Sequence, residues 1–289
     1  MIGQPGDPAA GQNPQGGASL NFYVGDGVSG SASVTFTTMD GEHVRAISTQ
    51  ANPGLNRVMW DLRYEASSAP RLRTPALEHS HRDVGASGFR AAPDGGSVRP
   101  LAVPGRYRVT LEVSGQDAQT AVLEVLQDPD SEASAADMRA QLDLQLELRE
   151  MSDSTSELIN RVEWTRKGLM DLEERVRGEA RYREVVEAGE ALDELLIELE
   201  MGLFDLRLTG GSARQDTIRW PRQLWAKLSS LAGYSSGTDD PPTNQMREVG
   251  VVYEELLAES LLRWAEIAAG DLARFNQMLA DRGLPPIVS

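Results

Sequence analysis

Apolar and polar positions alternate in two different ways along this chain, and the period changes near Gln127 to Ser134. Before that point the period is two. In "SASVTFTTMD", Val34, Phe36 and Thr38 alternate with Ser33, Thr35 and Thr37, and Asp40-Gly41 turns the chain into "EHVRAIS", which predicts a hairpin. "GRYRVTLEV" places Tyr107, Val109, Leu111 and Val113 on one face, and "QTAVLEVLQ" sets Val122, Glu124 and Leu126 opposite Leu123 and Val125. With "ASLNFYV" in front and "LNRVMWDLRY" between, about six strands separated by turn residues are expected, the pattern of a small antiparallel sandwich.

After Ser134 the period becomes helical. Leu144, Leu148, Met151, Thr155, Leu158 and Val162 recur at steps of four and three, and the series continues to Val176 as a heptad seam. A second seam runs from Tyr182 through Val185, Gly189, Leu192 and Leu196 to Leu206, and a slower third from Tyr253 through Leu257, Leu261, Trp264 and Ala268 to Leu279. Ser134 to Val176 would span about 64 Å and Thr243 to Arg282 about 60 Å, whereas Ala180 to Leu206 reaches only about 40 Å. "WPRQLWAKLSSLAG" supplies the missing length: Pro221 suits a first helical turn, and Leu224, Leu228 and Leu231 recur at helical spacing. The expected fold is therefore α+β with two domains. Residues 18–130 form an antiparallel β-sandwich, and residues 131–289 form a long antiparallel three-helix bundle with a broken middle helix jointed at "TGGSARQDT". Trp220 and Trp225 read as core anchors of the short piece.

Two stretches have no period. Tyr64 to Pro104 is rich in Ala, Ser, Arg, Gly and Pro, and reads as a mobile or loosely packed insertion, with a contact surface as the alternative. Residues 1–17, "MIGQPGDPAAGQNPQGG", read as a flexible leader of interdomain-linker composition, without the basic and apolar parts of a signal peptide, which suggests a further domain upstream.

Charge and composition narrow the function classes. The formal net charge is −16, with 14 acidic and 10 basic side chains in residues 1–130 against 30 and 18 in the remainder, so the excess lies in the helical half. Such a surface repels phosphate backbones and argues against nucleic acid as a partner. No cysteine is present, which excludes disulfides, thiol catalysis and sulfur-based zinc sites. No run approaches the ~18 apolar residues of a membrane span.

Candidate chemistry is sparse. "EHSHRD" brings Glu78, His79, His81 and Asp83 together, and on a strand the two imidazoles would share a face and could take a divalent metal. A loop lacks the rigid surroundings such a site needs, so no metal or other cofactor is expected there. Asp171, Glu173 and Glu174, and Glu254 with Glu255, flank seam positions and read as solvated helix faces, not as a glycosidase acid pair. "TGGSARQDT" lacks the Gly-Lys-Ser/Thr ending of a phosphate loop. Only three histidines exist, His43, His79 and His81, and none lies beside a nucleophile motif. Asp239 and Asp240 precede Pro241-Pro242, where they favour the positive end of the last helix. No catalytic, cofactor-binding or metal-ligating residue is assigned.

The segments "GEHVRAIS", "NPGLNRVMWDLRYE", "VPGRYRVTLEVSG" and "VLEVLQDPD", in that order, resemble the immunoglobulin-like module of the flagellar hook-capping type. That resemblance implies turns at Gly41 and Gly54, a buried anchor at Trp60 and a strand opened by Gly105-Arg106-Tyr107. Together with "WPRQLWAKLSSLAG", "TDDPPTNQMREVGVVYEELLAE" and "LARFNQMLADRGLPPI", the chain from about Asn13 is similar to the C-terminal region of large secreted bacterial sortilin-like proteins. These carry Asp-box β-propellers and are often labelled glycosyl hydrolases. The propeller repeats themselves are missing, and Asp94-Gly95-Gly96 lacks their surrounding pattern. The resemblance thus implies a non-catalytic accessory module, secreted or in the cell envelope, that stabilises or orients an upstream propeller or docks another protein. The alternative it leaves is a part of a secreted sialidase-like glycoside hydrolase whose catalytic residues lie outside this chain.

Overall fold

The computed structural model describes residues 16–82, 84–93, 95–209 and 219–288, so nearly all of the leader and of the "TGGSARQDT" joint lie outside it, as do Asp83 and Asp94. The chain is α+β. Its strands are β1 (Ala18–Val24), β2 (Gly30–Thr38), β3 (His43–Ala51), β4 (Gly54–Trp60), β5 (Arg71–Leu72), β6 (Arg90–Ala91), β7 (Gly105–Val113) and β8 (Gln119–Val125), and every pairing among them is antiparallel. Among the described residues its α-helices include α1 (Ala135–Val176), α2 (Arg183–Leu203), α3 (Leu224–Ser235), α4 (Asn244–Ile267) and α5 (Ala273–Asp281). Two compact units result, Met1–Glu65 with Leu101–Asp128, and Ala66–Pro100 with Pro129–Ser289.

In the first unit β3, β2, β7 and β8 form one sheet in that order, and β1 pairs with β4 in another. The period-two pattern sets the inward face: Val34, Phe36, Tyr107 and Val109 are buried. Gly41 and Gly54 carry the predicted turns at φ 94° and 96°, a region in which a Cβ would be strained. Trp60 has no solvent exposure. Its ring stacks on Phe36 at 4.4 Å between centroids, takes Tyr107 edge-on at 5.4 Å, and its indole N–H donates to the Arg63 carbonyl at 2.9 Å. To close that loop the chain holds Leu62 at φ 58°, while the Asp61 carboxylate accepts the Arg63 N–H.

In the second unit α1 starts with a reciprocal capping box, in which Ser134 Oγ accepts the Asp137 N–H and the Asp137 carboxylate accepts the Ser134 N–H. The Ser134 hydroxyl, which also donates to the Asp137 carboxylate at 2.6 Å, and then the Ser134 N–H hold the Asp137 carboxyl below its ordinary range. Thr243 caps α4 by accepting the Met246 N–H. The predicted seams supply the shared core, with Leu148, Leu158 and Val162 of α1, Leu192 and Leu196 of α2, Leu224 and Leu228 of α3, and Leu257 of α4 all buried in it.

Three details depart from the sequence expectations. Residues 221–223 precede the helix, which begins at Leu224, so Pro221 is not in its first turn. The third seam is not continuous: a π-turn at Ala268–Leu272 adds one residue, so the buried series runs Trp264, Ile267, Leu272, Phe275, Leu279 with a step of five, and Leu261 is 42% exposed. Finally, the aperiodic stretch is not a loosely packed insertion. Its neck is closed by the Ala102 N–H donating to the Leu62 carbonyl, residues 67–74 hydrogen-bond along α1, and Leu72, Ala76 and Val98 are buried.

Candidate functional site

An extended segment carries backbone N–H and C=O groups that need partners when they leave water. Residues 67–74 find many of them on one polar stripe of α1, formed by Ser152, Ser156, Asn160 and Glu163 at steps of four, four and three. Ser152 shares a hydroxyl contact with Ser67, Ser156 Oγ donates to the Ser68 carbonyl, and Asn160 Oδ1 accepts the Arg71 N–H at 2.8 Å. Beside the stripe, Asp153 accepts both the N–H and the hydroxyl of Ser68.

Glu163 closes the series. Its Oε2 accepts the backbone N–H groups of Arg73 and Thr74, the latter at 2.7 Å, and its Oε1 accepts the Thr74 hydroxyl at 2.9 Å. Neither Glu163 nor Glu200 of α2 has any exposure, and Arg166 is buried between them. The Arg166 guanidinium donates to Glu200 Oε2 at 3.0 Å and to Asp193 at 2.9 Å, and lies 3.8 Å from Glu163. Arg90 of β6 ties the segment down from the other side, donating to the carbonyls of Thr74 and Leu208.

Burial dominates the electrostatics. It pushes the Glu200 carboxyl well above the usual carboxylate range, the Glu163 charge adds to the effect, and Arg166 opposes it. Burial also works against the Arg166 charge, but the pull of Glu200 and Asp193 outweighs it and raises that pKa. Arg90 is lowered by burial, with Glu163 and Glu200 offsetting part of the loss. At the rim, Arg73 stacks over the half-exposed Trp164 ring at 4.0 Å.

This cluster is an anchor for a backbone segment. The carboxyls of Glu163 and Glu200 face packed side chains and peptide groups, with no solvent contact through which a substrate could approach them. Sequence reasoning missed it because Ser152, Ser156, Asn160 and Glu163 at helical spacing resemble a solvated face. The available signal was their coincidence with a heptad seam on the same helix beside an aperiodic stretch long enough to cover them.

The sequence candidates fall elsewhere. Glu78 and His79 lie on a 3-10 turn (Leu77–His79) rather than a strand, and the rings of His79 and His81 meet edge-on at 6.0 Å. Asp83 is outside the described residues, and among those described no group of three or more His, Asp or Glu is arranged to hold a metal ion. Asp171, Glu174, Glu254 and Glu255 are exposed, and Asp171 accepts a bond from Lys167 on its own helix. His43 is exposed at the start of β3. Trp225 is buried in the core, while Trp220 is partly buried with Arg207 over its ring at 3.6 Å. Among the described residues no helix is long and apolar enough to cross a membrane. Compared with protein families, with curated proteins and with solved structures, the chain matches none.

Proposed function

We propose that this chain is a non-catalytic accessory module of a secreted or cell-envelope protein, one that stabilises or orients an upstream β-propeller or docks a partner protein. In this reading the first unit is an immunoglobulin-like sandwich, and the helices form an antiparallel three-helix bundle whose middle arm is broken into α2 and α3. The buried Trp60 and the Tyr107 hydroxyl, which donates to the Val103 carbonyl four residues upstream as in a tyrosine corner, support the sandwich. Packing of both α2 and α3 on α1 supports the broken arm.

The observation that carries the functional reading is the use made of the buried carboxyls. Glu163 and Glu200, shielded from solvent as an active-site pair can be, spend their hydrogen bonds on the Arg73 and Thr74 backbone and on Arg166. An enzyme would aim such groups into a cleft. The test is an assay of the purified chain against aryl-glycosides and sialosides, with and without zinc or calcium, beside a reading of the gene upstream of Met1. No turnover and upstream Asp-box repeats are expected. Turnover abolished by replacing one carboxylate would overturn the reading.

A further inference from the structure

Around Glu163 and Glu200 two buried polar atoms lack a partner, the acceptor Glu200 Oε1 and the donor Arg90 Nη2, whose guanidinium is already tied to the Thr74 and Leu208 carbonyls. A carboxylate offers about four lone-pair sites. On Glu163 three are taken, by the Arg73 N–H, the Thr74 N–H and the Thr74 hydroxyl. Glu200 Oε2 takes the Arg166 donor, but Glu200 Oε1 is buried with no donor at all, and the two carboxyls flank the same Arg166 nitrogen, at 3.0 Å from Glu200 Oε2 and 3.8 Å from Glu163 Oε1. Two ionised carboxylates cannot bond to each other, and an orphaned buried anionic oxygen is costly.

We propose that Glu200 carries a proton and donates it to the last free lone pair of Glu163, so that one shared proton latches segment 66–100 onto α1 and α2 and makes its attachment dependent on pH. The charged groups facing the pair are Arg166 from α1, Asp193 from α2, and Arg73 and Arg90 from the segment. Three carboxyls thus face one central guanidinium, with Arg73 and Arg90 at the edge. One neutral acid relieves the repulsion between the adjoining carboxyls and satisfies Oε1 in the same step. Loss of that proton would leave two adjacent anions without water, and the carboxylate holding the Arg73 and Thr74 amides would be repelled by its neighbour.

Infrared difference spectroscopy of the whole chain tests the proton directly. The carbonyl stretch of a neutral carboxylic acid is expected at pH 7, shifted by glutamate 13C labelling, absent from Glu200→Gln, and lost from the wild type as the pH is raised. The latch is read by tryptic cleavage at Arg71, Arg73 and Arg90 between pH 6 and 10. The wild-type rate relative to Glu200→Gln should rise by about tenfold or more, the ratio that one unit of linked titration produces. The amide that Glu200→Gln introduces can donate to Glu163 but has no proton to lose in this range. A wild-type spectrum without the neutral-acid band at pH 7 overturns the proposal even if the variant fails to fold. So does a band that survives Glu200→Gln, or a cleavage ratio that does not change with pH.

Discussion

Arg166 and Glu200 meet at 3.0 Å with neither in appreciable contact with solvent, the guanidinium on α1 and the carboxyl on α2. A buried partner is costly to strip because the remaining group keeps its desolvation penalty. Arg166→Met should therefore lower the unfolding free energy of the helical unit by about 3–5 kcal/mol. Urea titration followed by helix circular dichroism checks this. Pairing it with Glu200→Leu should recover part of the loss, and a double variant that adds the two penalties independently would show that the side chains are not coupled.

The stability of the same unit should depend on pH with a definite sign. Burial raises the Glu200 carboxyl above its unfolded value, so the folded chain holds more protons than the unfolded one at any pH between the two values. That contribution is complete below the unfolded value of about 4.3, declines as pH rises, and is lost once the pH passes the folded value, with a slope of up to about 1.4 kcal/mol per pH unit. Denaturation midpoints of wild type and Glu200→Gln, measured from pH 5 to 9, should converge toward high pH if the wild type begins as the more stable. Parallel curves would remove Glu200 as the source.

In the sheet unit Trp60→Ala deletes a ring that stacks on Phe36, meets Tyr107 edge-on and bonds the Arg63 carbonyl. The cost should be about 3–5 kcal/mol. A variant that melts with the wild type would contradict the packing described for β4.

Gly95 is required by space. A Cβ built there would lie 2.2 Å from the Trp225 ring, which is itself buried and cannot swing aside. Gly95→Ala should destabilise the helical unit by about 1–3 kcal/mol, and pairing it with Trp225→Leu should relieve part of that cost. Thermal melts of the three variants decide it. A Gly95→Ala protein as stable as the parent would mean that residues 95–98 do not rest on α3.

Whatever repeats at short range was legible along the chain. Alternation along "SASVTFTT" and "GRYRVTLEV" placed β2 and β7 and grouped Val34, Phe36 and Thr38 on one face and Tyr107, Val109, Leu111 and Val113 on another, of which Val34, Phe36, Tyr107 and Val109 are buried. The heptad seam from Leu144 to Val176 located α1, whose ends at Ser134 and Val176 agree with the structure. These properties are set by the periods of strand and helix, 2 and 3.6 residues, and by which faces leave water. The π-turn at Ala268–Leu272 was hidden because one added residue shifts a seam without erasing its period. The fate of the segment that follows Glu65 and, with it, of the buried cluster was set by long-range packing. That segment has no period of its own, since its order comes from side chains about ninety positions away, among them Asn160 with Arg71 and Glu163 with Thr74. Polar residues at helical spacing signify a solvated face until another part of the chain arrives to take their hydrogen bonds. Then desolvation turns Glu163, Arg166 and Glu200 from surface charges into a single buried unit.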